Sequence, residues 1–131
     1  MKLIFAAEDT IIGIICGILL IGLAGRFFEL KLPDNFYLIA FIIYSVAILM
    51  DIVNEARDLT THFGFILFSL IHSFVDLAIA LAFVSHFSSW NMPIITSTIV
   101  PYLASQSIIF GIGAYLVIGN VVWLALYPFL D

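Results

Sequence analysis

Asp51, Glu55 and Asp58 stand at i, i+4 and i+7 in a strongly apolar stretch, and His62 extends the series at i+11, so a helix here carries one polar stripe. A second stripe follows, with His72 and Asp76 at i and i+4, Ser69 and Ser73 beside them, and His86 near the same line much farther along. Three chemistries suit such stripes. Carboxylate oxygens and imidazole nitrogens bind Zn, Fe or Cu, which makes Asp51, Glu55, Asp58, His62, His72 and Asp76 candidate metal ligands, with a transition metal as the cofactor class and no particular ion fixed. Chains of Asp, Glu and His also form proton and cation paths. The third reading is structural: Glu55, Asp58 and His62 are wetted at a helix end, while Asp51, His72 and Asp76 hydrogen-bond one another to hold two helices in register.

Each reading has its weakness. The metal reading lacks the HExxH and Glu-x-x-His spacings, and only three histidines exist. The path reading meets a gap between Asp76 and His86, filled on that face by Ile79 and Phe83. No Gly-rich phosphate loop or nucleophile elbow occurs, and no residue is assigned a catalytic role.

The composition explains why these residues matter. The chain of 131 residues is 64% hydrophobic and 10% charged, with a mean hydropathy of +1.25, whereas a soluble chain is about a quarter charged. Lipid is the only solvent that suits so much apolar surface, and an ionisable side chain at a bilayer centre costs roughly 2.5–3.5 kcal/mol. The net charge of -5 and the scarcity of Lys and Arg exclude nucleic acid as a partner. Cys16, the single cysteine, lies in the first apolar run, which excludes an intrachain disulfide. Lys2 could open a signal peptide, but Glu8 and Asp9 interrupt the apolar stretch that would have to follow.

The elements that must position the stripes are membrane helices, since strands of a membrane barrel alternate in polarity and these runs are apolar all round. A hydrocarbon core about 30 Å thick needs roughly 20 apolar residues per helix. The sequence predicts a single all-α transmembrane domain over residues 1–131, an up-down bundle of four spans near residues 10–28, 36–56, 63–84 and 102–127. Pro33, Pro93, Pro101 and Pro128 fall at or near the inferred ends, where a missing backbone donor costs little. The stretch from Ile94 is overlong for one span, and Pro101 marks an irregular or re-entrant segment before the fourth. Trp90 stands at headgroup depth in this scheme. Lys2 and Arg57 on one side balance Arg26 and Lys31 on the other, so the positive-inside rule leaves the orientation undetermined.

With a rise of about 1.5 Å per residue, Asp51 lies about 8 Å below the surface shared by the second and third spans, His72 about 14 Å and Asp76 about 20 Å. Asp51 and His72 are therefore expected within contact distance across two antiparallel helices. Gly13 and Gly17 stand in GxxxG spacing on the first helix, the pattern that lets helix backbones approach closely. In the fourth span Ser105, Gln106, Ser107 and Asn120 read as interhelical glue, and Tyr115 and Trp123 as facing either lipid or a partner. A chain this small encloses little volume. Its expected function is that of an accessory subunit of a multi-subunit integral membrane complex, a redox or metal-dependent enzyme among the candidates. It would be a non-catalytic part rather than an enzyme acting alone. Its partners would be other membrane subunits, met through the glycine-lined first helix and the fourth helix, and lipid. The alternative is a homo-oligomeric proton or cation channel or transporter built on the Asp/Glu/His cluster.

Overall fold

In the computed structural model, residues 2–25, 27–57, 63–88, 90–92 and 94–130 are described, with side chains described for residues 10–25, 27–53, 67, 70–88, 90–92 and 94–125. All regular structure among them is helical: α1 (Lys2–Ala24), α2 (Asp34–Arg57), α3 (Phe63–Ser88), the single turn α4 (Ile95–Thr98), a 3-10 turn (Val100–Ala104) and α5 (Gln106–Leu130). Three helices are long and apolar enough to cross a membrane, over Asp34–Val53, Leu70–Ser88 and Gln106–Ala125. The first helix contributes a shorter apolar run, Thr10–Ala24.

That first run stops four residues before the predicted end at 28, and the cause is Gly25. Its φ of 72° is the left-handed conformation that glycine adopts without a Cβ clash. The Gly25 amide donates to the Ile21 carbonyl at 3.2 Å, which satisfies one of the carbonyls a helix end leaves open. Leu30 then folds back, its amide donating to the Gly22 carbonyl at 3.0 Å. At the other boundaries local hydrogen bonds shift the ends. Ser88 Oγ donates to the Val84 carbonyl at 2.6 Å in the last turn of α3, which runs on to Ser88. The stretch before Pro101 is irregular, as the sequence predicts: α4 and the 3-10 turn that contains Pro101 are followed by Ser105 in extended conformation before α5 starts. Thr96 ties this stretch to α3, its Oγ1 lying 2.8 Å from Ser85 Oγ and accepting from the Met92 amide at 2.7 Å.

Packing runs α3 against α2, α2 against α1, and α1 against α5. On α2 the buried positions Tyr37, Phe41, Tyr44, Ile48 and Asp51 recur at alternating spacings of four and three, and on α3 Ser73, Asp76, Ala80 and Phe83 do the same. This is the seam repeat by which two long helices stay in contact over their whole length. The opposite face of α2, from Ile39 and Ile42 to Met50 and Val53, is exposed and apolar. Rings fill one end of the α2/α3 seam, where Tyr37 stacks on Phe87 at 5.2 Å between centroids and Phe41 on Phe83 at 4.8 Å. Toward the other end the same seam turns polar.

Gly13 and Gly17 are buried within the chain. A Cβ on Gly17 would lie 2.8 Å from the Gly113 carbonyl oxygen and 2.7 Å from Val117 Cγ2, so the α1 and α5 backbones touch here. The close approach that the GxxxG spacing permits is made between the first and last helices. By contrast α3 and α5 stay apart: no pair of their Cα atoms among the described residues comes within 8 Å.

Candidate functional site

A helix mostly buries residues that lipid or packing tolerates, so the buried polar side chains define the site: Thr10, Ser45, Asp51, Ser73, Asp76, Ser85 and Asn120. Ser45 and Ser85 satisfy themselves locally, Ser45 Oγ donating to the Phe41 carbonyl at 2.8 Å and Ser85 Oγ to the Trp90 carbonyl at 2.6 Å. Thr10, Asp51, Ser73, Asp76 and Asn120 remain, and the last four belong to two neighbouring groups.

The first group pairs Asp51 of α2 with Ser73 of α3, whose hydroxyl donates to the carboxylate. The pairing corrects the expectation that Asp51 meets His72. The two residues do lie at neighbouring depths, but successive residues of a helix point about 100° apart, so Ser73 faces α2 while His72 points away from it toward the α5 rings of Tyr115 and Trp123. No ion pair joins Asp51 to His72 among the described residues. A double-mutant cycle reads this difference: Asp51→Asn should couple to Ser73→Ala by about 1 kcal/mol and to His72→Leu by much less. Coupling of the same size to both would mean that the two helices present another face to each other.

The second group centres on Asp76. His72 Nδ1 lies 3.5 Å from Asp76 Oδ2, one helical turn away. The hydroxyls of Tyr44 from α2 and Tyr115 from α5 face the same carboxyl. Asp76 is only 3% exposed, yet its Oδ1 has no hydrogen-bond donor among the described residues. On the α1 side, a Cβ on Gly13 would lie 2.9 Å from Tyr44 Oη and 2.5 Å from Asn120 Nδ2, so glycine at this position makes room for both polar heads. Asn120 Nδ2 donates to the Leu116 carbonyl at 2.6 Å.

These residues share one level. Gly13, Tyr44, Asp76 and Asn120 each lie within about two residues of the middle of α1, α2, α3 and α5. On the α5 side the rings of Trp123 and Tyr115 flank His72, with centroids 5.6 Å and 6.1 Å away. These aromatic groups bridge the gap that the α3 and α5 backbones leave open. The His72 side chain is 24% exposed and Tyr115 is 38% exposed, so the gap opens the site to the side of the bundle.

Of the six candidate ligands, Asp51, His72 and Asp76 fall in these two groups. Glu55 lies one turn beyond Asp51 in α2, but its side chain, like Asp58 and His62, falls outside the described residues. Among the described residues no three His, Cys, Asp or Glu side chains converge as a metal site. His86 is exposed at the end of α3, with Phe87 edge-on at 5.0 Å. Tyr44 escapes a reading of the sequence because it sits in an apolar run, where a tyrosine looks like one more large core residue. Its signal is its place in the series Tyr37, Phe41, Tyr44, Ile48, Asp51, which puts it on the buried face that carries the first stripe.

The arrangement holds one carboxylate oxygen without a donor among the described residues, its carboxyl faced by an imidazole and two phenols, near the middle of the helices. It can accept a proton, a hydrogen bond or a cation. No family model matches the chain, and comparison with curated proteins and with solved structures finds no match.

Proposed function

We propose that the chain crosses its membrane four times as an up-down bundle and serves as a small accessory subunit of a multi-subunit integral membrane complex. The observation that carries this reading is the open seam between α3 and α5. His72 and Tyr115 face Asp76 on one side but remain partly exposed on the other, and polar surface left to hydrocarbon costs free energy unless protein covers it. A helix of a larger subunit lying in the seam supplies that cover. The first helix has spent Gly13 and Gly17 on α5, so contact with other subunits shifts to α5 and α3, while the exposed Ile, Val, Leu and Met face of α2 meets lipid.

Gentle detergent extraction from the native membrane tests this. The chain should co-purify with larger subunits at fixed stoichiometry, and a photo-crosslinker at Tyr115 should capture one of them while the same group at Ile42 captures lipid. A stable assembly of this chain alone would favour the homo-oligomeric channel or transporter instead, and a monomer without partners would sink both. The topology has its own test in a Cys16→Ser background: single cysteines at Phe5, Thr60 and Leu130 should label from the same side with an impermeant reagent. Labelling of the Thr60 site from the side opposite both others refutes four spans.

A further inference from the structure

We propose that Asp76 seats a small monovalent cation of the sodium type at the middle of the bundle, with the phenol oxygen of Tyr44 as a neutral donor beside it. The inference goes beyond membership of a complex, because every group it uses belongs to this one chain. Three observations carry it. Asp76 Oδ1 is fully buried and has no donor among the described residues, and a buried acceptor left open is costly, so such sites are filled by a ligand, a water or a proton. The groups nearest to it are hard ones: the phenol oxygen of Tyr44 faces the carboxyl. Asn120, whose Nδ2 donates to the Leu116 carbonyl, lies beside Tyr44 across the Gly13 position and closes this level toward α1. Oxygen donors of this kind suit hard cations rather than soft metals. Lastly, the level is the middle of all four long helices, the depth at which membrane transport proteins hold their coupling ions.

Charge selects the valence. One carboxylate at this level is neutralised by one positive charge, whereas a divalent ion would leave a net charge buried where desolvation is most costly. The titratable groups facing Asp76 are His72 on its own helix, Tyr44 from α2 and Tyr115 from α5; α1 presents Gly13 at this level, and Asp51 is engaged with Ser73.

The test is thermal unfolding of the purified full chain in detergent, with NaCl, KCl or choline chloride at equal ionic strength, together with the 23Na linewidth. Sodium should raise the midpoint saturably by about 5 °C over choline, as a site occupied well above its dissociation constant does, with potassium weaker. The sodium line should broaden with protein and narrow again on adding excess lithium. Asp76→Asn should show the same midpoint in sodium as in choline. If Asp76→Asn does not fold, Asp76→Glu replaces it and should need several-fold more sodium for the same shift. Equal midpoints in the three salts, or a sodium response undiminished in Asp76→Asn or unchanged in Asp76→Glu, overturn the proposal.

Discussion

Gly17→Ala is expected to destabilise the protein by about 3 kcal/mol, the upper part of the range for overpacking a filled interior. The added Cβ would stand 2.7 Å from Val117 Cγ2, 2.8 Å from the Gly113 carbonyl oxygen and 2.9 Å from the Val117 amide nitrogen. Two of these three neighbours are backbone atoms, which cannot rotate aside, so the helices must separate and lose dispersion contacts along the rest of the α1/α5 interface. Lipid adds no hydrophobic drive to hold them together. Gly113→Ala meets the same wall from the other side, with the Gly17 carbonyl oxygen at 2.9 Å. Once either change has pushed the helices apart, the other costs less, so the double variant should fall short of the sum. Gly111→Ala, two residues away on α5 with nothing within 4 Å of the new Cβ, should be neutral or stabilising by up to about 1 kcal/mol, because alanine loses less conformational freedom in a helix. Midpoints of denaturation in detergent decide this, and an unchanged midpoint for Gly17→Ala would mean that α1 and α5 do not meet as described.

The His72/Asp76 pair should show an asymmetry of similar size. Removing His72 takes the imidazole from a carboxyl group whose side chain is 4% exposed, whereas Asp76→Asn keeps a hydrogen-bonding side chain of the same shape beside an imidazole that is 24% exposed. His72→Leu should therefore cost up to about 3 kcal/mol, as leaving a buried polar group without its partner does, and Asp76→Asn less than half of that. The double variant His72→Leu/Asp76→Asn should recover most of what His72→Leu loses. Single variants measured beside the double in one buffer separate the pair from its surroundings, and equal costs for the two single changes would contradict the burial difference on which the expectation rests.

How far the sequence could be read depended on what sets each feature. Apolar runs and prolines located α2, α3 and α5, because long apolar helices follow from composition alone. Helix ends depended on single hydrogen bonds and one left-handed glycine: the shift from 28 to Ala24 follows from Gly25, and the shift in the last helix from 102 to Gln106 follows from the 3-10 turn and the extended Ser105. The polar residues were visible as stripes, and so was their depth. Which of them meet was not, since depth along an axis says nothing of rotation about it, and a step of about 100° separates His72 from Ser73. The glycine spacing announced a close helix contact without naming the helix. Tyr115 and Trp123 likewise gave no sign that they would flank His72, because that depends on where α5 packs around α1.

The contact between Gly17 and Gly113 also fixes when the fold can finish. The two glycines belong to α1 and α5, so their meeting is highly non-local and carries the loop-closure entropy of the whole stretch between them. Helices α1 to α3 can pair as they emerge during synthesis, but α1 must keep its glycine face unoccupied until α5 has been made. During that interval Gly17 is open to any passing helix that fits. A chain cut short after Ser105 would leave this face permanently available, so such a truncation should be cleared by quality control or captured by foreign helices rather than accumulate as a folded three-helix remnant.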